Sequence, residues 1–336
     1  MVMINYEKIL ITGGTGSFGK AFIKLLIEKY KINKIKRLVI YSRDEFKQFQ
    51  LSKIYPVKKY PFLRFFIGDV KDKDRLNRAM HNIDLVIHAA ALKQVPAAEY
   101  NPFEFIKTNI IGAQNVIEAS LDNKVSNLIA LSTDKASSPI NLYGATKLCS
   151  DKLFTSAENI KGFKKIKFSV IRYGNVFGSR GSVLPLFLNQ IKNKTPLTIT
   201  DPKMTRFNIT LNEATKYVLK KINTNKGGEI FVPKLYSYRI EDVVKAFGNN
   251  IKHKIIGIRP GEKRHEEMIS EFDNENTLES DDDYIILNST KNNYKNSKKY
   301  KPVKKGFSYN SFKNKKYLTI SQIKNLIKKE RINFEN

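Results

Sequence analysis

The sequence predicts an α/β protein with a doubly wound parallel sheet and a smaller C-terminal lobe that binds substrate. Short apolar runs alternate with helix-like segments through the first half of the chain, a glycine-rich turn follows the first run, and the alternation loosens after residue 177. Such alternation is typical of a parallel sheet covered by helices on both faces. With 336 residues, the chain is long enough for one large domain or two closely joined lobes.

Six short apolar runs are predicted to be buried parallel strands. They are Lys8–Thr12, Arg37–Ser42, Arg64–Gly68, Asp84–Ala89, Asn127–Ser132 and Lys167–Tyr173. Between them, helices are predicted over Phe18–Tyr30, Asp72–Met80, Pro102–Leu121 and Tyr143–Asn159. The pair Asn101-Pro102 marks a helix start, because asparagine caps helices and proline is favoured in the first turn.

The turn after the first strand has the composition of a phosphate cradle. Glycines at 13, 16 and 19 leave the strand and open a helix, whose N-terminal N–H groups and positive dipole end attract phosphate. A side chain at Gly13 or Gly16 would keep the backbone from a pyrophosphate. The turn predicts a Rossmann-type dinucleotide site formed by Gly13, Thr15, Gly16, Ser17, Phe18 and Gly19.

The end of the second strand bears on the choice of dinucleotide. An acidic residue there would take the ribose hydroxyls of NAD, whereas an arginine would accommodate the 2′-phosphate of NADP. Arg43 and Lys47 favour NADP, while Asp44 leaves NAD open. The residues expected around the adenosine are Ser42, Arg43, Asp44, Lys47, Asp69 and Val70.

The second half of the chain is expected to form the smaller lobe. The predicted division is a dinucleotide-binding domain over residues 1–177 and a mixed substrate-binding lobe over 178–336, with the chain free to cross between them. Helices are predicted over Pro185–Asn193, Leu211–Asn223, Arg239–Phe247 and Thr319–Glu330, and a strand over Ile230–Pro233. The acidic segment Glu271–Asp283 and the Lys/Asn-rich segment Asn292–Lys305 are expected to be mobile loops.

Composition narrows the possible partners and compartment. The net charge of +28 fits a nucleic-acid or membrane-surface partner, but the lysines are scattered and no nucleic-acid motif accompanies them, which favours a solvated basic surface without nucleic acid. No apolar run is long enough to span a membrane, and no apolar leader precedes the first strand. The single cysteine, Cys149, fits a cytoplasmic protein. No metal-ligand cluster is apparent in the sequence.

Candidate catalytic residues follow the fifth strand. Tyr143 and Lys147 are four residues apart and share one face of a helix, where the lysine can stabilise a phenolate and hold a nicotinamide ribose. The strand itself ends in Thr133, Asp134 and Lys135. An acid and a base at this position suit an elimination, in which one group removes a proton beside a ketone and the other protonates the leaving hydroxyl. To act as the base, Lys135 needs a lowered pKa.

These segments together resemble the extended short-chain dehydrogenase/reductase family. Within it they resemble the inverting UDP-N-acetylglucosamine 4,6-dehydratases of pseudaminic acid synthesis. The resemblance runs from about residue 7 to 270, and its most specific part is the combination of Thr-Asp-Lys with Tyr-x-x-x-Lys. Its other motifs are Arg172–Ser182, Met204–Phe207 and Arg259–Lys263.

The resemblance implies an NADP-dependent dehydration in which the cofactor is recycled. Tyr143 would assist oxidation at carbon 4, Lys135 would take the carbon-5 proton, and Asp134 would protonate the departing carbon-6 hydroxyl. Carbon 5 would be inverted, giving UDP-2-acetamido-2,6-dideoxy-β-L-arabino-hexos-4-ulose. The resemblance also implies a homo-oligomer such as a hexamer, cofactor contacts at Ala89, Lys93 and Val176, and UDP-N-acetylglucosamine contacts at Lys93, Asn175, Arg180, Arg206, Arg259 and Glu262.

Two positions depart from this pattern, Gln94 and Asn208. A glutamine at position 94 resembles the pattern of the dehydratase/5-epimerases of the capsular fucosamine pathway. That subfamily therefore stays as an alternative. A UDP-sugar 4-epimerase or reductase on the same fold is a second alternative, and it would not need the Asp134–Lys135 pair. A non-catalytic NADP-binding or RNA-binding relative is the alternative from a different class.

Overall fold

The computed structural model describes residues 4–29, 34–179, 181–248, 251–288, 294 and 297–335. The strands in chain order are β1 (Lys8–Thr12), β2 (Arg37–Ser42), β3 (Leu63–Ile67), β4 (Leu85–His88), β5 (Asn127–Thr133), β6 (Lys167–Tyr173), β7 (Asn175–Val176), β8 (Leu197–Ile199), β9 (Thr205–Ile209), β10 (Glu229–Pro233), β11 (Tyr236–Arg239), β12 (His253–Ile255), β13 (Glu267–Ile269), β14 (Thr277–Glu279), β15 (Asp283–Leu287), β16 (Lys301–Pro302) and β17 (Tyr309–Asn310).

The helices are α1 (Ser17–Lys29), α2 (Glu45–Ile54), α3 (Lys73–Met80), α4 (Val95–Tyr100), α5 (Pro102–Ile106), α6 (Gly112–Asp122), α7 (Leu142–Ile160), α8 (Val183–Lys192), α9 (Leu211–Ile222), α10 (Ile240–Phe247) and α11 (Ile320–Glu335). Several begin at side-chain caps, which satisfy the free N–H groups of a first turn. Asp44 caps α2, Asp72 caps α3, and Thr210 forms a capping box with Glu213 on α9.

A ten-stranded sheet lies at the centre of the protein. Its parallel part has the order β3-β2-β1-β4-β5-β6-β10. The strand order reverses between β1 and β4, and ligands of open α/β sheets bind outside the carboxyl ends of the strands at such a point. The predicted doubly wound parallel sheet is confirmed.

The edge beyond β6 is built by the second half of the chain. β10 pairs parallel with β6, and β15, β14 and β16 then extend the sheet in antiparallel pairs. The prediction of an irregular loop over 271–283 is therefore wrong for β14 and the start of β15, and β16 lies inside the second predicted loop. The acidic residues misled the prediction because they flank short strands with buried apolar faces, such as Tyr284 and Ile285. The division at residue 177 stays a prediction.

A second, smaller apolar cluster lies among α8, β8, α10 and α11. Leu184, Phe187, Val243 and Ile323 are fully buried in it. Three small sheets surround this region, in the orders β11-β9-β7, β12-β8 and β13-β17. The short β7 and β9 connect the end of β6 to this part of the chain. They carry Asn175 and Arg206, which had been predicted to bind substrate.

Most predicted elements agree with the structure to within two residues. β1, β2 and β6 have the predicted bounds, whereas the predicted helix over 102–121 contains a π-helical turn at Lys107–Ile111 between α5 and α6. The helices α2 and α4 were not predicted. α2 has no clear apolar face, with Phe46, Phe49 and Ile54 exposed to solvent, so periodicity gave no signal for it.

A buried carboxyl group at the start of β10 makes stability depend on pH. Glu229 accepts hydrogen bonds from the Lys226 backbone N–H at 2.7 Å, the Ser169 hydroxyl at 3.3 Å and the Tyr294 hydroxyl at 3.3 Å. Burial raises the pKa of Glu229 from 4.5 to about 7, although these hydrogen bonds oppose the shift. The folded protein therefore holds this group protonated in mildly acidic solution.

Replacing Glu229 with glutamine should remove that dependence. Because the folded-state pKa is raised, the wild-type protein loses stability as pH rises from 4.5 through 7, by on the order of 3 kcal/mol. We expect Glu229→Gln to flatten this part of the curve of unfolding free energy against pH, as measured by urea denaturation. The exposed Glu275→Gln serves as the matched control. Parallel curves for wild type and Glu229→Gln would contradict the assignment.

Candidate active site

A cleft of about 520 Å³ opens at the carboxyl ends of β1, β4, β5 and β6. Its walls come from segments far apart in the chain, including the glycine turn, the end of β5, the first turns of α7 and the loop at 259–263. The predicted residues that it brings together are Gly13, Gly16, Ser17, Phe18, Gly19, Ala89, Lys93, Thr133, Asp134, Lys135, Tyr143, Lys147, Asn175, Val176, Arg206, Arg259 and Glu262.

The glycine turn forms one end of the cleft. Gly13 has a φ of +65°, and a Cβ atom there would lie 2.9 Å from the backbone of Ala89 and Ala90. Only glycine tolerates both this conformation and this approach. α1 begins four residues later, so its free N–H groups face the cleft and can donate to phosphate oxygens. Thr15, also predicted here, is buried and does not line the cleft.

The residues expected at the adenosine end lie outside the cleft walls. The carboxylate of Asp44 accepts the Lys47 backbone N–H at 2.9 Å and contacts the Lys47 ammonium, so it is engaged as a helix cap. The Arg43 guanidinium is half exposed and lies 3.5 Å from Asp69. Ser42 accepts a hydrogen bond from Gln48 at 3.2 Å, and Val70 is buried. At this end, the Arg43 guanidinium is accessible to a ligand, whereas the Asp44 carboxylate is already occupied by its contacts with Lys47.

Tyr143 and Lys147 both line the cleft from α7 and are buried. The Lys147 ammonium donates to the Leu131 carbonyl at 2.8 Å, and burial lowers its pKa while Asp151 partly offsets that effect. Burial raises the pKa of Tyr143 to about 12, against the charge of Lys135 and a hydrogen bond with Thr133. The charge that favours a phenolate on Tyr143 therefore comes from Lys135, whereas the ammonium of Lys147, the expected partner one helical turn away, is engaged with the Leu131 carbonyl.

α7 is held close to the end of β5. Asn141 caps the helix by accepting the Gly144 N–H at 2.8 Å, and its side chain donates to the Gly261 carbonyl at 2.7 Å. A Cβ atom on Gly144 would collide with the Lys135 carbonyl. The glycine after Tyr143 therefore lets the helix approach the turn that carries Asp134 and Lys135.

The predicted triplet forms a compact hydrogen-bonded group. The Thr133 hydroxyl donates to Asp134 Oδ1 at 2.9 Å, and the Lys135 ammonium lies 3.0 Å from the same oxygen. Asp134 is 1% exposed and the Lys135 side chain is 23% exposed, and both residues line the cleft.

The charge state of Lys135 differs from the expectation. Burial would lower the pKa of Lys135, but Asp134 and Glu266 together outweigh burial and raise it above its usual range. The expected lowering is wrong for this arrangement, because the sequence did not reveal a second carboxylate beside the ammonium. Glu266 Oε1 lies 3.0 Å from Lys135 Nζ, opposite Asp134.

A row of alternating charges continues along the cleft. Arg206 is buried and contacts Glu262 at 3.2 Å, and Glu262 in turn accepts two hydrogen bonds from Arg259 at 3.0 and 3.3 Å. Arg206 also donates to the carbonyls of Thr205 and Arg264. The ion pair of Arg206 is therefore buried, whereas the guanidinium of Arg259 is exposed at the rim of the cleft. Arg180 lies outside the described residues.

Several buried polar atoms in the cleft have no hydrogen-bond partner among the residues that the structure describes. They belong to five lining residues: Ser132, Asp134, Asn175, Ser182 and Glu266. Buried polar atoms are almost always hydrogen-bonded, so such a cluster calls for a polar ligand or water. A sugar, with a hydroxyl at nearly every carbon, suits this wall.

Sequence reasoning missed several cleft residues, above all Glu266 and Lys263. Glu266 lies 131 positions beyond Lys135 and next to a three-residue strand, so no spacing rule connects it to the turn that carries Lys135. Gln94 was noted as a departure but not as a site residue, and it lines the cleft beside Gly181. Asn208 is buried on β9 and does not line the cleft.

The fold and the tyrosine–lysine pair after β5 define a short-chain dehydrogenase/reductase. Residues 9–288 match the family described as "Polysaccharide biosynthesis protein". A Campylobacter jejuni protein named UDP-N-acetylglucosamine 4,6-dehydratase (inverting) is 54% identical over 93% of this chain and 94% of its own length. A Rickettsia canadensis protein named UDP-glucose 4-epimerase is 44% identical over 80% of this chain and 79% of its own.

A solved structure, Pen from Bacillus thuringiensis, has a TM-score of 0.88 at 39% identity and covers 98% of this chain and 100% of its own. The chain belongs to the polysaccharide biosynthesis family, within the extended short-chain dehydrogenases/reductases. The recognition made from its motifs is therefore confirmed. In the part of the chain that the structure describes, no helix is long and apolar enough to cross a membrane.

A buried ion pair joins α7 to β6 behind the cleft and should stabilise the fold. Asp151 Oδ2 lies 3.1 Å from Arg172 Nη2, and both side chains are almost fully buried. Asp151→Asn should lower the free energy of unfolding by about 3–5 kcal/mol, because it leaves the Arg172 charge uncompensated. Denaturant unfolding measures the loss, with the exposed Lys152→Gln as control. Equal losses in the two variants would contradict this role.

Proposed function

We propose that this protein is an NADP-dependent UDP-N-acetylglucosamine 4,6-dehydratase that inverts carbon 5, a hydro-lyase. The observation that carries the proposal is the pair Asp134–Lys135 beside Tyr143 in one cleft. A simple oxidoreductase of this fold needs the tyrosine and lysine of α7, but not an additional acid and base. The name of the 54%-identical Campylobacter relative supports the same reaction.

The residues at the dinucleotide end fit a nicotinamide cofactor, which when bound would accept and return the hydride. Gly13, Gly16 and the N-terminus of α1 would hold its pyrophosphate, and Lys147 its nicotinamide ribose. The accessible Arg43 and the engaged carboxylate of Asp44 favour NADP over NAD, because a 2′-phosphate needs a cation rather than an acceptor. The hydride taken from carbon 4 would be returned at carbon 6, so the cofactor would end in its starting oxidation state and could remain bound.

Three protein groups would move the protons of the reaction. Tyr143 would take the carbon-4 hydroxyl proton as the ketone forms, aided by the Lys135 charge. The ketone then acidifies carbon 5. Because Asp134 and Glu266 raise the pKa of Lys135, its resting side chain is an ammonium, which would first release a proton to water in the cleft. The resulting neutral amine would then remove the carbon-5 proton. Asp134 would give its proton to the departing carbon-6 oxygen, so that water leaves. Reprotonation of carbon 5 from the opposite face completes the inversion.

The remaining predicted residues would bind the sugar nucleotide. Arg206 and Arg259, joined by Glu262, can present guanidinium groups to a diphosphate, and Arg180 and Lys93 would add further charge. The side-chain carbonyl oxygen of Asn175, which no described residue contacts by a hydrogen bond, can accept one from a sugar hydroxyl. The product would be UDP-2-acetamido-2,6-dideoxy-β-L-arabino-hexos-4-ulose, which would enter pseudaminic acid synthesis. We further propose a cytoplasmic homo-oligomer.

A 4-epimerase is the second candidate, because a Rickettsia relative with 44% identity carries that name. An epimerase would interconvert configurations at carbon 4 and would conserve the mass of the sugar. The buried Asp134 and the Lys135 ammonium, both turned to the cleft, favour dehydration over epimerisation.

The direct test is to incubate the purified protein with UDP-N-acetylglucosamine, without added cofactor. We expect a product lighter by one water, detected by mass spectrometry, and NADP rather than NAD released when the protein is denatured. A product of unchanged mass and altered carbon-4 configuration would establish the epimerase instead. Unchanged substrate with a fully loaded protein would contradict both.

Replacing Lys135 with alanine should stop the elimination. In deuterated water, the wild-type protein should incorporate deuterium at carbon 5 of the product, whereas Lys135→Ala should slow that exchange by at least about 10²-fold, the usual contribution of a positioned base. NMR of the nucleotide measures the exchange. Lys124→Ala, on a turn remote from the cleft, is the control. Undiminished exchange in Lys135→Ala would remove Lys135 from its role.

A further inference from the structure

Glu266 has no place in the proposed chemistry, yet it is in direct contact with the catalytic turn. Its side chain is 2% exposed and precedes β13. Oε1 lies 3.0 Å from Lys135 Nζ and 3.7 Å from Arg206 Nε, while Oε2 is buried and has no hydrogen-bond partner in the described part of the chain. A buried carboxylate is costly unless cations compensate it, so this one is retained at a site where it contacts the candidate base.

The surroundings of Glu266 differ from those of Asp134. The charged and titratable groups that act on the two carboxyls are Lys135, Arg206, Lys263, Tyr143 and Tyr238. Glu266 lies against both Lys135 and Arg206. Asp134 also forms an ion pair with Lys135, but no arginine among the described residues lies within ion-pair distance of it.

This asymmetry separates the two carboxyl groups in their protonation. Burial raises the pKa of Asp134, with Lys135 opposing and the charge of Glu266 adding to the rise. Burial would also raise the pKa of Glu266, but Lys135 and Arg206 outweigh it, and the pKa of Glu266 lies below its usual value. Pairs of carboxyls with separated pKa values are typical of acid–base catalysis.

We propose that Glu266 is a positioning residue for the elimination: its carboxylate fixes the Lys135 amine at the cleft wall and keeps Asp134 in its acid form. The inference rests on the proposed dehydration. Asp134 must carry a proton to release the carbon-6 oxygen as water, and the negative charge of Glu266 disfavours a second negative charge nearby. The same contact holds the flexible lysine side chain in one place, so that its nitrogen meets carbon 5.

Glu266→Gln tests this by removing the charge while keeping the shape. The reactive form needs neutral Lys135 and protonated Asp134, and Glu266 raises the pKa of both. Its loss should therefore move both limbs of the pH profile of kcat/KM toward lower pH, by at least about one unit. Glu266→Asp, which keeps the charge, should leave the limbs near their wild-type positions. Glu267→Gln, on the adjacent residue with its carboxylate bound to Ser138, is the matched control.

A second readout does not depend on turnover. The neutral amine of Lys135 reacts with an amine-selective acylating reagent, and peptide mapping by mass spectrometry gives the labelling rate at each pH. At a pH below the lysine pKa, Glu266→Gln should label Lys135 at least about tenfold faster than wild type, because one pKa unit changes the neutral fraction tenfold. Glu267→Gln should label at the wild-type rate.

The outcomes separate the two proposals. A shifted profile and faster labelling support Glu266 as the positioning residue. If Glu266→Gln lowers kcat/KM equally at every pH and Lys135 is labelled at the wild-type rate, Glu266 has a purely structural role. That outcome overturns the inference. If wild-type protein leaves UDP-N-acetylglucosamine unchanged, the proposed function fails, and the labelling rates alone then decide whether Glu266 controls the proton on Lys135.

Discussion

The contact of one ammonium with two buried carboxyl groups is the interaction on which the cleft depends. Lys135 lies 3.0 Å from both Asp134 and Glu266, which come from parts of the chain more than a hundred residues apart. Glu266 could not remain ionised at this depth without a cation, and the ammonium would lose its proton without the carboxyl groups beside it. The contact therefore joins the end of the parallel sheet to the segment before β13.

The second half of the chain packs against the first half at this contact. β10, β14, β15 and β16 extend the large sheet. Between β10 and β14, the segment before β13 brings Glu262, Lys263 and Glu266 across the carboxyl ends of the parallel strands. Arg172 on β6 also donates to the Met268 carbonyl at 2.9 Å. The side of the cleft formed by the segment before β13 is thus attached to the same parallel sheet that carries the glycine turn.

The sequence was sufficient for features that depend on local pattern. Buried strands such as β1 have continuous apolar runs, and the spacing of Tyr143 and Lys147 follows from helical geometry. It was insufficient where tertiary contacts decide. α2 is polar on most faces, β14 is three residues long, and Glu266 reaches Lys135 only because the chain folds back. The raised pKa of Lys135 follows from that last contact and could not be derived from its neighbours in sequence.

The central claim is that Lys135 and Tyr143 face one hexose ring from neighbouring walls of the cleft. A crystal structure of the protein with UDP-N-acetylglucosamine bound tests this most directly. The account predicts Lys135 Nζ within about 3–4 Å of carbon 5, the separation of reacting atoms in a near-attack geometry, with Asp134 beside the carbon-6 oxygen. A hexose bound with carbon 5 turned away from Lys135, and the ammonium still paired to both carboxylates on the far wall, would contradict it.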